Sequence, residues 1–428
     1  MATTGSNSSL ATDRVHATTG VVIGLTTHGD ATVACTSAKA IQAAFDRRGD
    51  SMRWHLVVAD LGSDGVTLDR IRAELTSSAE VTAVAVAHPT HESLVLPYHG
   101  LPGRARALRA ILTEARARQA AACVLLDARS ASIDSGSIER LLEPVASNVA
   151  QFVAPAYVRH PFSGALVHGL VYPLFRALYG TRLRWPIGTD VGVSAEFIDA
   201  VLPDPIWESD RGQVGIDLWL CTMAVSGGFR VGEALIERPD VSERHDLTLS
   251  TAVAQVVGWM FSDMPARTAV WQRIRGSTAV TRVGEPIRQP DPPDVDPVGL
   301  ADSFRLAQRE LQDIWAEVLP PLAMLQWRRL ASMPIEGFRV EDALWARTVY
   351  DFAMAHRLRI IARDHLLRSL VPLYLAWLAS FVRDTRHAPP DEGERRIEQL
   401  CLAYETEKPY LISQWRWPER FKPVKFRR

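Results

Sequence analysis

VVIGL at residues 21–25, WHLVVADL at 54–61, VTAVAVA at 81–87 and ACVLLDA at 122–128 are four short apolar runs. Segments between them, such as Ser37–Arg48 and Leu68–Leu75, carry apolar residues at helical spacing. Alternation of this kind is the pattern of a parallel sheet covered by helices, in which each strand is buried on both faces and reads as an unbroken apolar run. The first half of the chain is therefore expected to be α/β. Farther on, QFVAPAYV at 151–158 and FRVGEALIE at 229–237 read as strands, Gly164–Tyr179 and Gly215–Ser226 read as helices, and WPIGTDVG at 185–192 reads as a turn. One open sheet with helices on both faces is expected over residues 21–245.

GEPIRQPDPPDVDPV at 284–298 cannot hold regular helix, because proline lacks the backbone N–H and clashes with the preceding turn. Beyond it, Asp302–Val318, Val340–Arg357, Ala362–Thr385 and Gly393–Glu405 all carry apolar residues at three-to-four spacing, so an all-helical C-terminal domain is expected. The organisation that follows is a lead at 1–20, a ligand-binding α/β domain at 21–250, a helix and proline-rich crossing at 251–300, and a helical domain at 301–428. A chain of 428 residues is long enough for two or three such units, at roughly 150 residues each.

Composition narrows the partners. With 47% hydrophobic and 23% charged residues and a formal net charge of -1, the chain is not built to bind nucleic acid. The basic residues from Arg416 to Arg428 form a short cluster that reads as a solvated tail. Cys35, Cys123, Cys221 and Cys401 are far apart and form no C-x-x-C pair, which fits free thiols in a reducing compartment. The first twenty residues lack the apolar core of a signal peptide, and the longest apolar stretch, Leu370–Val382, is shorter than the roughly 18 residues that span a bilayer. A cytoplasmic protein not integral to a membrane is expected.

Ligands of open α/β sheets bind outside the carboxyl ends of the strands, and Thr26, Asp60 and Asp127 fall there. Asp127 directly follows CVLL, where it serves either a ligand or a cap on the next segment; Asp60 and Asp127 are expected to face one cleft. LPGRARALRA at 101–110 sets Arg104, Arg106 and Arg109 near a helix start. Cations oppose the helix dipole there, which points to a bound anion. Asp217, among apolar residues in VGIDLWL, reads as a carboxylate facing a cavity or capping a helix. His245 reads as an exposed loop residue or a metal ligand. His88, His91 and His99 have no spacing that fixes a metal geometry.

In order and spacing these segments resemble the retaining GT-A glycosyltransferases that include mannosylglycerate synthase, glucosylglycerate synthase and glucosyl-3-phosphoglycerate synthase. VVADLGSDGVT at 57–67 is similar to the family's second-strand segment, LPGRARALRA to its Pro-Gly-Lys-Gly loop with Arg104 at the lysine, and LLDARSASI stands where the family has its Asp-x-Asp motif. WPIGTDVG is similar to the Gly-Gly-acid turn, and VGIDLWL carries the helix aspartate of the acceptor side.

The resemblance implies a GT-A fold and transfer of a hexose, with retention, from a nucleoside diphosphate sugar to a small hydroxy acid such as glycerate or 3-phosphoglycerate. Thr26, Asp60, Arg104, Arg129 and Thr189 would hold the donor; Asp190 and Asp217 would be the catalytic, sugar- and acceptor-facing acids. Asp127 and His245 would hold a divalent metal, magnesium or manganese. A homodimer is one assembly it allows. Arg129 departs from the pattern by placing a cation where the second motif carboxylate would stand, and Arg104 and Thr189 replace a lysine and a glycine. Arg129 either pairs with the diphosphate itself or blocks the metal site. The second outcome describes a sugar-nucleotide-binding relative without turnover. A further alternative is an enzyme of the same fold with a lipid or polysaccharide acceptor.

Overall fold

The computed structural model describes residues 20–27, 30–48, 52–61, 66–75, 80–84, 86, 103–128, 134–237, 249–285, 290–389 and 391–421. Eight strands form one sheet: β1 (Val21–Thr27), β2 (Trp54–Asp60), β3 (Glu80–Ala83), β4 (Ala122–Asp127), β5 (Phe152–Tyr157), β6 (Val191–Ser194), β7 (Val231–Ile236) and β8 (Thr281–Val283). Their order is β3-β2-β1-β4-β6-β5-β7-β8. β6 runs antiparallel to β4 and β5, and every other pairing is parallel. All seven residues of β1 and all six of β4 are buried, as strands covered on both faces require.

The expected α/β sheet and the all-helical region after residue 300 both hold among the described residues. The sheet nonetheless runs past residue 245, because β8 adds an edge strand from a segment expected to be helix and crossing. It is three residues long with an exposed arginine, too short to show a period. β6 falls at the end of the expected turn WPIGTDVG for the same reason. Its Gly192 lets the helix Ser135–Ala146 lie against the sheet, since a Cβ there would come 2.2 Å from the Leu141 carbonyl oxygen.

After residue 296 come helices Pro297–Glu310, Gln312–Val318, Pro321–Ala331, Asp342–Leu358, Arg363–Thr385 and Glu392–Arg416. Asp296 caps the first, its carboxylate accepting the N–H groups of Val298 and Gly299. The helix expected over Asp302–Val318 breaks at Leu311. The helix Arg363–Thr385 is long and apolar enough by composition to cross a membrane, but 67% of its apolar window is buried inside the protein. There Leu367 meets Gly258 and Trp377 meets Gly169.

The helical region is fastened to the sheet domain by buried polar groups as well as by apolar packing. Lys408 donates to the carbonyls of Ala177 and Ile274, at 2.5 and 3.0 Å, and Trp345 Nε1 donates to the Gly169 carbonyl at 2.8 Å. Arg176, with no exposed surface, pairs with Glu398 and Glu405 of the helix Glu392–Arg416.

Candidate functional site

The chain runs outward from β1 through β2 to β3, then returns to place β4 on the other side of β1. That reversal is the switch point where open α/β sheets leave a crevice for ligands. At its carboxyl edge Thr26 of β1 stands in register with Asp127 of β4. Thr26 Oγ1 donates to the Leu126 carbonyl at 3.1 Å, which fixes the pair.

Two other elements bring side chains to this point. The helix Arg104–Ala117 begins directly after Gly103, whose φ of 82° is the left-handed conformation that suits glycine. It lies close over β1 because Gly24 has no side chain, and a Cβ there would come 2.2 Å from Ile111. The antiparallel run of β6 puts its amino end, rather than its carboxyl end, at this edge, and so delivers Thr189 and Asp190. Asp217 arrives on the helix Asp210–Ser226, just past a break at Gly215, where φ is -131° and the Trp259 ring leaves no room for a Cβ.

Arg104 is the hub. Its Nε donates to both carboxylate oxygens of Asp217, at 3.1 and 2.9 Å, and Nη2 donates to Asp217 Oδ1 at 2.8 Å and to the Thr189 carbonyl at 2.8 Å. Nη1 donates to Thr26 Oγ1 at 2.9 Å and lies 3.7 Å from Asp127 Oδ2. Asp190 ties the opposite side: it accepts the Asp127 N–H at 3.1 Å and the Tyr157 hydroxyl proton at 2.6 Å, while the Tyr157 oxygen accepts the Thr189 N–H at 3.1 Å. Tyr157→Phe removes the donor to a buried carboxylate. It is expected to lower stability by about 1.5 kcal/mol, read as a shift in the urea midpoint.

Thr26, Arg104, Asp127, Thr189, Asp190 and Asp217 thus meet in one cluster. The structure changes their reading. Arg104 has no exposed surface, and its donors go to protein acceptors rather than outward to a nucleotide. The anion called for by a cation at this helix start is Asp217, 113 positions downstream. Burial alone would weaken the hold of Arg104 on its proton, but Asp217, Asp127 and Asp190 outweigh it and fix the guanidinium in its charged form. Burial pushes the Asp217 carboxyl above its ordinary range; Arg104 draws it back down, while Asp127 and Asp190 push it up.

Asp217 opens on a cavity of about 20 Å³ lined by Ile187, Gly215 and Trp259. That is room for a water and not for an acceptor among the described residues. Asp60 ends β2 but pairs in register with Thr27, one residue beyond Thr26. The pleat therefore sends Asp60 and Asp127 to opposite faces, and they do not share the expected cleft. Thr189 and Tyr157 are the partly exposed members of the cluster. Tyr157 was not singled out from the sequence, where an aromatic at the end of an apolar run carries no signal of its own.

Arg129 and His245 lie outside the described residues. Among the described residues no three His, Cys, Asp or Glu side chains form a group that could hold a metal ion. The Asp127 carboxylate lies instead against the Arg104 guanidinium. Of the two expected metal ligands only Asp127 is described.

No family model matches this chain, and no curated protein matches it in sequence. Solved structures to which it is similar include mannosyl-3-phosphoglycerate synthase from Rubrobacter xylanophilus, at 18% identity over 59% of this chain and 77% of that one, with a TM-score of 0.39. Another is glucosyl-3-phosphoglycerate synthase from Mycobacterium tuberculosis in complex with phosphoglyceric acid, at 16% identity over 58% and 79% with a TM-score of 0.37. A mannosyltransferase from Pyrobaculum calidifontis in complex with GDP-Man and Mn2+ is similar over 92% of this chain and 87% of that one, at 14% identity and a TM-score of 0.35.

Proposed function

We propose that the chain is a glycosyltransferase that moves a hexose from a nucleoside diphosphate sugar to a hydroxylated acid, with retention, at the carboxyl edge of β1, β4 and β5. The observation that carries this reading is the cluster at the β1–β4 switch point, where one buried arginine bonds Thr26 and Thr189 and lies beside Asp127, and Asp190 is tied to them through the Asp127 N–H. Such a cluster supplies orientation and preorganised charge, the two contributions that glycosyl transfer draws from a protein. In the reaction the bond from the anomeric carbon to the diphosphate oxygen breaks, the acceptor hydroxyl oxygen bonds that carbon on the same face, and the hydroxyl proton passes to the leaving phosphate. Thr189 and Tyr157 are open enough to touch the sugar, while Asp190 and Asp217 position them through Tyr157 and Arg104. Arg129, two residues beyond Asp127, supplies the counter-charge for the diphosphate.

A second reading, nucleotide-sugar binding without turnover, is favoured by one observation: Asp127, Asp190 and Asp217 are all buried. The two readings separate in a single series. UDP-glucose or GDP-mannose at 100 times its dissociation constant should raise stability by about 2.7 kcal/mol in a thermal-shift assay. Release of the nucleoside diphosphate in the presence of glycerate or a larger hydroxy acid then marks a transferase. Binding with no release under any of these acceptors marks the second reading, and absence of binding to either donor overturns both.

A further inference from the structure

A cavity of about 680 Å³ lies between strands β5, β7 and β8 and the helix Glu392–Arg416. Tyr157 joins it to the carboxylate cluster, because its ring lines the cavity while its hydroxyl holds Asp190. Four arginines line it as well: Arg159, Arg182, Arg184 and Arg282. Arg159 stacks 5.2 Å from the Tyr157 ring centre and 5.1 Å from that of Trp185, which sets its guanidinium as a fixed plane. Arg184 lies 5.2 Å over the Tyr172 ring.

Three carboxylates share this lining and pair with its arginines, Arg182 included, whose Nη1 lies 3.9 Å from Glu398. Glu233, 1% exposed, accepts from Arg282 at 2.7 Å and also holds the Arg184 N–H; Glu394 accepts from Arg184 at 2.9 Å. Glu398 pairs with the fully buried Arg176, which stands behind the cavity wall. Four arginines thus face three carboxylates around a half-open volume, and Arg182 and Arg282 remain 40% and 51% exposed. His168, also in the lining, is held neutral by burial and adds no charge. Trp185, wedged against Tyr157, His168 and Arg159, has an indole N–H with no acceptor among the described residues.

Size decides between ligands. Pockets of about 300–1,000 Å³ enclose molecules of drug or sugar size, and a three-carbon acid would leave most of this one filled with water. We propose that this cavity binds an organic anion of sugar size, a carboxylate or phosphate on a hydroxylated ring, and presents its hydroxyl toward Tyr157 and Thr189. Guanidinium planes match either acid group in bidentate geometry, the Arg–Glu pairs offer donors and acceptors to ring hydroxyls, and the tyrosine rings cover its apolar face. The inference rests on the transferase reading only in making the bound molecule the acceptor.

Calorimetry on the whole protein with glucuronate, glucose 6-phosphate, glucose and inorganic phosphate tests it. At least one of the two acidic sugars should bind ten times or more tightly than glucose and than inorganic phosphate, and which one does so identifies the acid group. Arg159→Gln and Arg282→Gln should each weaken that binding at least tenfold while leaving UDP-glucose or GDP-mannose binding unchanged. Arg282 is half exposed, so its variant is expected to fold even where Arg159→Gln does not, and melting curves of both establish this. Failure of both acidic sugars to bind, binding no tighter than that of glucose or phosphate, or binding indifferent to the Arg282 change overturns the proposal. Acid-sugar binding in a protein that binds no nucleotide sugar would sink the transferase reading and leave this site standing.

Discussion

Replacing Arg104 with methionine is expected to lower the stability of the protein by about 3–5 kcal/mol, the usual cost of removing one partner from a buried ion pair. The side chain has no exposed surface, and Asp217 with 8% exposure loses its only ion-pair partner among the described residues. Thr26 Oγ1 and the Thr189 carbonyl each lose a donor in the same change. Methionine fills much of the volume, so the loss is electrostatic rather than a cavity effect.

The pH dependence identifies the cause. In the folded protein burial already holds the Asp217 carboxyl above its ordinary range, and Arg104 is what draws it back. Without Arg104 that carboxyl rises further. Between the unfolded value of about 3.9 and the raised folded one, the folded state then binds more protons than the unfolded state, so stability falls as pH rises through that window. Urea unfolding of Arg104→Met should therefore show a larger deficit against the parent at pH 7.5 than at pH 5. Arg104→Lys, which keeps the charge but not the two-pronged geometry, should fall between them. A deficit under about 1 kcal/mol, or one that does not shrink on acidification, would remove Arg104 from the centre of the cluster.

How much of this was legible beforehand depends on the range over which each feature is determined. The long strands were plain, because burial on both faces imposes an apolar run on each of them. β6 and β8 were not, since four and three residues cannot display a period. Six residues singled out from the sequence do meet in one place: the strand-end rule pointed to Thr26 and Asp127, a cation at a helix start and an acid among apolar residues to Arg104 and Asp217, and the family resemblance to Thr189 and Asp190. Their relations were hidden. A cation at the start of the helix Arg104–Ala117 did call for an anion, yet nothing local tells whether that anion is a ligand or the distant Asp217. Asp60 and Asp127 each end an apolar run, and the face each acid leaves by depends on register. Thr27 pairs with Asp60 and Thr26 with Asp127, so an offset of one residue sends the two acids apart. Register is a property of paired strands, and neither strand carries it alone.

Arg129 decides whether the altered acidic motif is a working substitution or a remnant. Asp127 of that motif is buried, with Arg104 3.7 Å away and Asp190 on its backbone N–H. Arg129 therefore follows an acid already engaged within the protein, and the proposed reading makes it the residue that meets the diphosphate. A charge-assisted bond to phosphate contributes about 1.5–3 kcal/mol, so Arg129→Ala should weaken UDP-glucose or GDP-mannose binding by roughly ten- to hundredfold in calorimetry. Chelator should leave the parent's affinity unchanged, and Arg129→Asp should bind no better than Arg129→Ala, because it sets a second negative charge against the phosphates. The contrary outcome is equally specific. Two carboxylates two residues apart share a face at a strand end and can hold one divalent ion. If Arg129→Asp gains nucleotide binding that requires manganese and the parent lacks it, Arg129 is a block in a metal site. If parent, Arg129→Ala and Arg129→Asp bind the nucleotide sugar equally with and without manganese, the diphosphate does not sit beside Asp127, and the site assigned to the β1–β4 edge fails.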